Sequence, residues 1–365
     1  MVSKALVIGA YRGKLAELAK LGLEIVAVVP PEWREGGRCY RLEPEADSGY
    51  ELLVSPMRWN GHFHFHFYPQ LPGIIRHTRP DIVHVDEEPY NLATFLGIRA
   101  AARNSLPSLF FSWQNLVRRY PPPFAQIERS VYRLASHALA GTDAVSSVLR
   151  AKGYRKGLSV VPQFGVNPDV ARPDTQPHHG FVIGFLNRLI PAKAPILSLD
   201  ALEMLPADSR LCVVGDGPLR PHLEQEAERR GLGKRVSVRS RLPSAEIPDL
   251  MGGLDVVILP SLTTPRWKEQ FGRVLIEAMA CGVPVIGSDS GEIPAVIGDA
   301  GLIVPEGDAR ALAAALQRLY DDGALREDLS RRGRLRVLHH FTHARIARLT
   351  HDAYVETVAV ASSPN

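Results

Sequence analysis

No stretch of the 365 residues approaches the roughly 18 uninterrupted apolar positions that a membrane-spanning helix needs. Cysteine is scarce. Cys39, Cys212 and Cys281 are an odd number without metal-type spacing, which excludes a disulfide framework and suits a reducing, cytoplasmic setting. No Asp-x-Asp pair occurs, so the usual carboxylates of a metal-bound nucleotide are missing. No Gly-x-Gly-x-x-Gly follows the first apolar run of either half, which argues against a nicotinamide-dependent oxidoreductase; only Gly215-x-Gly217 hints at one, and Pro218 and Arg220 then break the pattern. The 30 Gly and 29 Pro are scattered without a repeat, which excludes collagen-like and low-complexity readings. The apolar core of Met1–Gly9 is too short for a signal peptide and is followed by no small-residue cleavage site, so it reads as a first buried strand.

What is present is ordinary for a globular protein: 45% hydrophobic and 22% charged residues, in a length that suits two domains. The net charge of +4 is unevenly spread, with 20 basic against 14 acidic residues up to Val166 and 23 against 25 beyond it. The basic first half suits an anionic partner, such as a peripheral contact with the inner membrane surface or a phosphorylated acceptor. It reads equally as unpatterned solvated charge. No nucleic-acid partner is expected.

Short apolar runs alternate with helix-like stretches in both halves. Strands are predicted at Ala5–Gly9, Glu24–Val29, Ile82–Val85, Ser108–Ser112, Ala138–Ala140 and Ser159–Val161, then at Val182–Phe185, Arg210–Gly215, Val236–Arg239, Val256–Leu259, Val283–Gly287 and Leu302–Val304. Helices are predicted at Lys14–Leu21, Leu92–Arg103, Ile196–Leu205, Leu219–Arg230, Phe271–Ala280, Ala309–Asp321 and Ala344–Val358, the last ending in a frayed polar tail. Strands buried on both faces and joined by helices imply an α/β fold of two Rossmann-like, doubly wound parallel sheets. Pro162–Gly180, with its prolines and the pair His178-His179, is the natural linker. Ligands of such sheets bind at the carboxyl ends of strands, so two facing sheets predict an interdomain cleft.

The segment Glu269-Gln270-Phe271-Gly272 opens a helix that carries Glu277. Gly272 allows close approach to the backbone, and the next amides are unpaired donors that attract phosphate. Glu277 lies on a stretch apolar enough to be buried, where ribose hydroxyls would satisfy it. Both carboxylates read equally as solvated helix charges. Arg188 and Lys193 follow the first strand of the second half and suit a diphosphate, the one by forked hydrogen bonds and the other as a point charge. In that role they would replace a metal, so no metal or other cofactor is expected.

With these segments, Val214-Gly215-Asp216-Gly217-Pro218, Ser288-Asp289-Ser290-Gly291-Glu292-Ile293-Pro294 and Gly298–Pro305, the chain resembles the family-4 retaining glycosyltransferases of GT-B fold. The resemblance implies domains 1–166, with a returning C-terminal helix 344–358, and 167–343. It implies a nucleotide-diphosphate sugar donor held by the second domain, a hydroxyl acceptor on the first, and metal-independent transfer with retention. Arg188 and Lys193 would hold the diphosphate and Glu277 the ribose. Glu269, with the Gln270, Phe271 and Gly272 backbone, would face the transferred sugar, with Gly215 and Gly217 also on the donor side. Asn187, Ala192, Ala194, Gln270, Glu292 and Ala295 depart from the family pattern, and Ala10-Tyr11-Arg12-Gly13 lacks its paired glycines. A sugar-nucleotide epimerase or hydrolase and a non-catalytic nucleotide-sugar-binding subunit are the alternatives.

In the first half, Trp113-Gln114-Asn115 stands where many relatives place a His; Gln114 and Asn115 can hydrogen-bond sugar hydroxyls. Asp86, Glu87 and Glu88 end a predicted strand, and Glu87 is the preferred acceptor contact. His62-Phe63-His64-Phe65-His66-Phe67-Tyr68 reads as a strand with a Phe core face and a wet His face, placing His66 near the acceptor; three imidazoles on one face would also suit zinc. Arg118-Arg119-Tyr120-Pro121-Pro122-Pro123-Phe124 fits a membrane surface, a glycan or a solvated loop.

Overall fold

The first apolar run does not form the expected strand. In the computed structural model, which describes residues 1–44, 49–173 and 179–362, only Val2 pairs as a strand residue, bridging Val28 and Val85 in parallel. The chain then turns at Lys4 into two 3₁₀ turns, Ala5–Val7 and Gly9–Tyr11. Lys4 causes the departure: its backbone N–H donates to Glu87 Oε1 at 3.2 Å and its ammonium pairs with the same carboxylate. Leu6 and Val7 are still buried, so their hydrophobicity is satisfied without a ladder.

The described chain divides into two units, Met1–Gly165 with the segment from His343 onward (unit 1) and Val166–Thr342 (unit 2). Of the linker expected at Pro162–Gly180, Pro177 and His178 lie outside the described residues, as does the tail after Ser362.

Unit 1 contains β1 (Val26–Val29), β2 (Glu32–Glu35), β3 (Arg38–Arg41), β4 (Glu51–Val54), β5 (Val83–Val85), β6 (Ser108–Ser112), β7 (His137–Ala140) and β8 (Gly157–Val160). Apart from the antiparallel β2–β3 hairpin, they form one parallel array in the order β4-β1-Val2-β5-β6-β7-β8. The order reverses between Val2 and β5, so Lys4 and Asp86–Glu88 leave the sheet side by side at its carboxyl edge. The helix His343–Ser362 covers unit 1: Ile346, Ala353 and Tyr354 pack with Leu109, Phe111 and Leu139. Gly13 is required where the opening helix Gly13–Lys20 meets it, because a Cβ there would lie 2.5 Å from the His343 ring.

Unit 2 contains β9 (Val182–Leu186), β10 (Arg210–Val214), β11 (Val236–Arg239), β12 (Val256–Leu259), β13 (Val285–Ser288) and β14 (Leu302–Val304), all parallel, in the order β11-β10-β9-β12-β13-β14. This is the doubly wound order 3-2-1-4-5-6, whose crevice for ligands opens between the first and fourth strands. The loops after β9 and β12 flank that crevice, and they carry Arg188, Lys193 and Glu269.

The His-Phe run is not a strand. Gly61, at φ +92°, starts a turn in which His66 N–H and Phe65 N–H both donate to His62 O, at 3.0 and 3.1 Å. The expected division into a Phe core face and a wet His face does not form: His62 is exposed but His66 is fully buried, whereas Phe63 and Phe65 are 39% and 42% exposed. Among the described residues no group of three or more His, Cys, Asp or Glu is arranged to hold a metal ion. None of the described helices is long and apolar enough to cross a membrane.

Candidate functional site

The β9 loop of unit 2 is held by backbone bonds to the β10 loop: Asn187 N–H to Val214 O, Leu189 N–H to Asp216 O and Leu219 N–H to Leu189 O, all at 3.0 Å. Gly215 and Gly217 serve this junction. A Cβ would lie 1.8 Å from the Asn187 carbonyl oxygen at Gly215, and 2.3 Å from that of Leu189 at Gly217. The glycines assigned to the donor in the sequence therefore have a supporting reason to be there. They let the two loops touch, and this presents Arg188. Its side chain is exposed and makes no ion pair among the described residues, while its N–H donates to Asn187 Oδ1 at 3.2 Å.

Lys193 differs from Arg188. It is buried, and its ammonium forms an ion pair with Glu269, which is buried too. Ser261 Oγ donates to the same Glu269 oxygen at 2.8 Å, and the Lys193 ammonium lies 5.0 Å from the centre of the Trp267 ring. Burial lowers the Lys193 pKa and the nearby Arg188 charge adds to this, while Glu269 opposes both. The sequence reading placed Lys193 on a diphosphate and Glu269 on a sugar, as separate contacts. In the structure each is the other's partner, so a ligand at either one must share it.

The backbone of Glu269 is clamped from the β13 loop. Its carbonyl accepts from Glu292 N–H at 3.2 Å, and Gly291, at φ +54°, has no room for a Cβ, which would lie 2.0 Å from that oxygen. Ser288 Oγ donates to Ser261 O at 2.6 Å and ties the β12 and β13 loops together. Gln270 follows with its N–H 3.3 Å from Glu269 Oε1. Phe271 is buried against Phe341, with ring centres 5.6 Å apart, so the helix begins at Arg273 rather than at Phe271. Gly272, at φ +79°, is its N-cap. Glu277 is not buried as expected. Its side chain is 25% exposed and forms an ion pair with Arg273, one helical turn back, whose Nε lies 2.8 Å from Oε1, and this offsets part of the cost of an apolar surrounding.

At the carboxyl edge of unit 1, Glu87 is 3% exposed and fully committed. It pairs with Lys4, lies 3.4 Å from His66 Nε2 and accepts weakly from Asn91 Nδ2 at 3.5 Å. The charges of Lys4 and His66 overcome the burial penalty and hold its carboxyl down at about 2. Glu87 and His66 are thus interior supports and not acceptor contacts. Gln114 and Asn115 are buried; Gln114 accepts from Lys152 Nζ at 3.1 Å and donates to Tyr120 OH at 3.3 Å. Asp86 accepts from Gln163, which accepts in turn from the Trp113 indole at 2.7 Å. Glu88, which the sequence reading named at the same strand end but ranked behind Glu87, is only half-buried. Sequence reasoning missed Lys4, Ser261 and Trp267. Lys4 was legible as the residue leaving the first segment of the sheet, whereas Ser261 and Trp267 carry no local signal.

A family model described as glycosyl transferases group 1 matches residues 169–336, and one described as a glycosyl transferase 4-like domain matches residues 9–163. The chain is 27% identical over 261 residues to the alpha-D-kanosaminyltransferase of Streptomyces kanamyceticus, covering 66% of each chain. It is 33% identical over 197 residues to the D-inositol 3-phosphate glycosyltransferase of Salinispora tropica, covering 50% of this chain and 40% of that one. Each of these matches spans less than two thirds of the relative's length. Among solved structures, Anabaena HepE in complex with UDP-glucose is similar at a TM-score of 0.73 and 19% identity, over 97% of this chain and 98% of that one. A glycosyltransferase from Rickettsia africae is similar at 0.76 and 20%, over 98% and 97%. At such identities the structures speak for the fold. Both halves are matched by glycosyltransferase models, and each is built on a doubly wound parallel sheet; the chain belongs to the family-4 glycosyltransferases of GT-B fold.

Proposed function

We propose that the protein transfers a sugar from a nucleoside diphosphate to a hydroxyl acceptor, with retention and without a bound metal. The observation that carries this reading is the pair of cations on the β9 loop, Arg188 exposed and without an ion pair among the described residues and Lys193 buried against Glu269, at the strand-order reversal of unit 2. A diphosphate beside them gains negative charge as the sugar leaves, so preorganised cations and the amides after Gly272 lower the barrier. The anomeric C–O bond to the diphosphate breaks while a new C–O bond forms to the acceptor oxygen on the same face. The acceptor's proton passes to a diphosphate oxygen. Glu269 faces the sugar as positive charge develops there, and Glu277 receives the ribose hydroxyls. Binding of UDP-glucose by the structurally similar HepE supports a uridine nucleotide as the first donor to try.

The test is turnover of UDP-glucose with and without candidate acceptors, before and after chelation. Transfer that survives chelation, and that falls roughly 10²–10³-fold in Arg188→Ala at saturating donor, is the expected result. A variant with wild-type turnover would remove Arg188 from the diphosphate. Activity lost to chelator and restored by a divalent ion would overturn the metal-free mechanism.

A further inference from the structure

Three consecutive carboxylates leave β5 at the strand-order reversal of unit 1, and they are not equivalent. Asp86 and Glu87 are buried and engaged as described. Glu88 is half-buried and held by one hydrogen bond on each oxygen: Ser112 Oγ donates to Oε2 at 2.7 Å, and Trp113 N–H donates to Oε1 at 2.8 Å. Its backbone is fixed as well, because its carbonyl accepts from Thr94 Oγ1 at 2.7 Å and from Asn91 N–H at 3.0 Å. A carboxylate oxygen has two lone-pair directions, so each oxygen of Glu88 keeps one for an outside donor. A rigid carboxylate with two accepting directions suits neighbouring hydroxyls on one ring. Tyr90 and Tyr120, whose ring centres are 4.4 Å apart, supply aromatic surface close by.

We propose that Glu88 is the acceptor-contact carboxylate of unit 1, and that it receives hydrogen bonds from the hydroxyls of a neutral, polyhydroxylated ring. This rests on the glycosyl-transfer reading given above. The acceptor is assigned as neutral because the cation that acts on Glu88, Lys4, is already paired with Glu87, while Arg118 acts on the Tyr90 and Tyr120 rings and not on Glu88 itself. A phosphate at this point would meet a carboxylate with no uncommitted lysine beside it.

The groups that face Glu88 are Lys4 from the opening segment, Glu87 and Tyr90 from its own loop, Tyr120 from the loop after β6, and Tyr132 from the helix Phe124–Leu134, where Tyr132 donates to Glu128. Burial and Glu87 raise its carboxyl to about 7, against the opposing pull of Ser112, Trp113 and Lys4. Near neutrality Glu88 therefore passes from an acid, with one accepting direction lost, to the carboxylate that can take both hydroxyls.

The test uses the full chain with UDP-glucose and D-glucose, methyl α-D-glucoside or glucose 6-phosphate as probes. Carboxyl ¹³C-glutamate NMR, with Glu88→Gln identifying the resonance, reads the contact directly. A neutral ring is expected to shift the Glu88 signal and lower its titration midpoint. Glu88→Gln is expected to raise the half-saturation for that ring roughly ten- to hundredfold, the worth of a hydrogen bond to a charged acceptor. UDP affinity should be unchanged, and the rise in transfer through pH about 7 should disappear. Glu87→Gln is expected to lower thermal stability and to move the Glu88 titration midpoint downward, without the loss of acceptor binding seen in Glu88→Gln. A Glu88 resonance unmoved by both neutral rings, or moved by glucose 6-phosphate alone, overturns the inference; so does an unchanged half-saturation in Glu88→Gln. The donor reading is judged separately, by whether the wild type binds UDP and turns over UDP-glucose.

Discussion

Replacing Glu269 by Gln separates what the buried pair does for stability from what it does for transfer. Both side chains are under a tenth exposed, so the substitution leaves the Lys193 ammonium out of water with Arg188 nearby and no counter-charge. Breaking a buried pair from one side costs about 3–5 kcal/mol. For a unit of this size that is a fall of about 6–20 °C in the unit 2 transition, at about 2–4 °C per kcal/mol. The Trp267 ring remains under the cation and returns about 0.5–2 kcal/mol, which favours the lower half of that range. Lys193→Met in the same chain removes the orphan charge, so the double variant should recover most of the loss. UDP should protect Glu269→Gln more than it protects the wild type, because its diphosphate offers Lys193 a new partner. Scanning calorimetry of the wild type, both single variants and the double variant, each with and without UDP, measures all of this. A Glu269→Gln transition within about 2 °C of wild type, or a double variant as unstable as the two single losses added, would refute the reasoning.

Glu277→Ala should mainly raise the KM for donor, since ribose does not change during transfer, with a stability loss of only about 0.3–0.5 kcal/mol for its half-exposed pair with Arg273; steady-state kinetics in which kcat falls and KM stays put would reassign it. Gly291→Ala should reduce both stability and turnover, because the new Cβ would lie 2.0 Å from the Glu269 carbonyl oxygen. Gly36→Ala, at a similar positive φ but in open space, should cost about 1–2 kcal/mol of stability and no turnover. Equal turnover losses in the two glycine variants would mean that the β13 loop does not position Glu269.

The parts of the fold legible in the sequence are those whose burial is strong and local. Val236–Arg239, Val256–Leu259, Leu302–Val304 and Ser108–Ser112 form strands as predicted, and Leu92–Arg103 and Ala309–Asp321 form helices with the predicted bounds. Each is a β-branched run or a clear apolar stripe between turn residues. The helix Gly323–His340 was missed because it buries only Leu329, Gly333 and Val337, a stripe one residue wide on an otherwise charged rod. The β2–β3 hairpin was missed because most of its residues are exposed, leaving little hydrophobic alternation to read. Of the candidate site, Arg188, Lys193, Glu269 and Gly272 were visible as residue types at strand and helix ends.

The sequence by itself determined the class: two doubly wound sheets, their carboxyl edges, and the charged residues delivered to those edges. These follow from local patterns of burial and turn chemistry. Tertiary structure decided the state of each charge. Lys193 meets Glu269 across 76 residues of chain, and Lys4 meets Glu87 across 83. Neither meeting is encoded by spacing, because it depends on which strands become neighbours. Glu87 and Glu88 are identical in type and adjacent in sequence, yet one is buried against a lysine and a histidine and the other is held half-open by Ser112 and Trp113. Successive side chains leaving a strand point to opposite sides, and only the packed sheet determines which side carries the counter-charge and which remains open to a ligand.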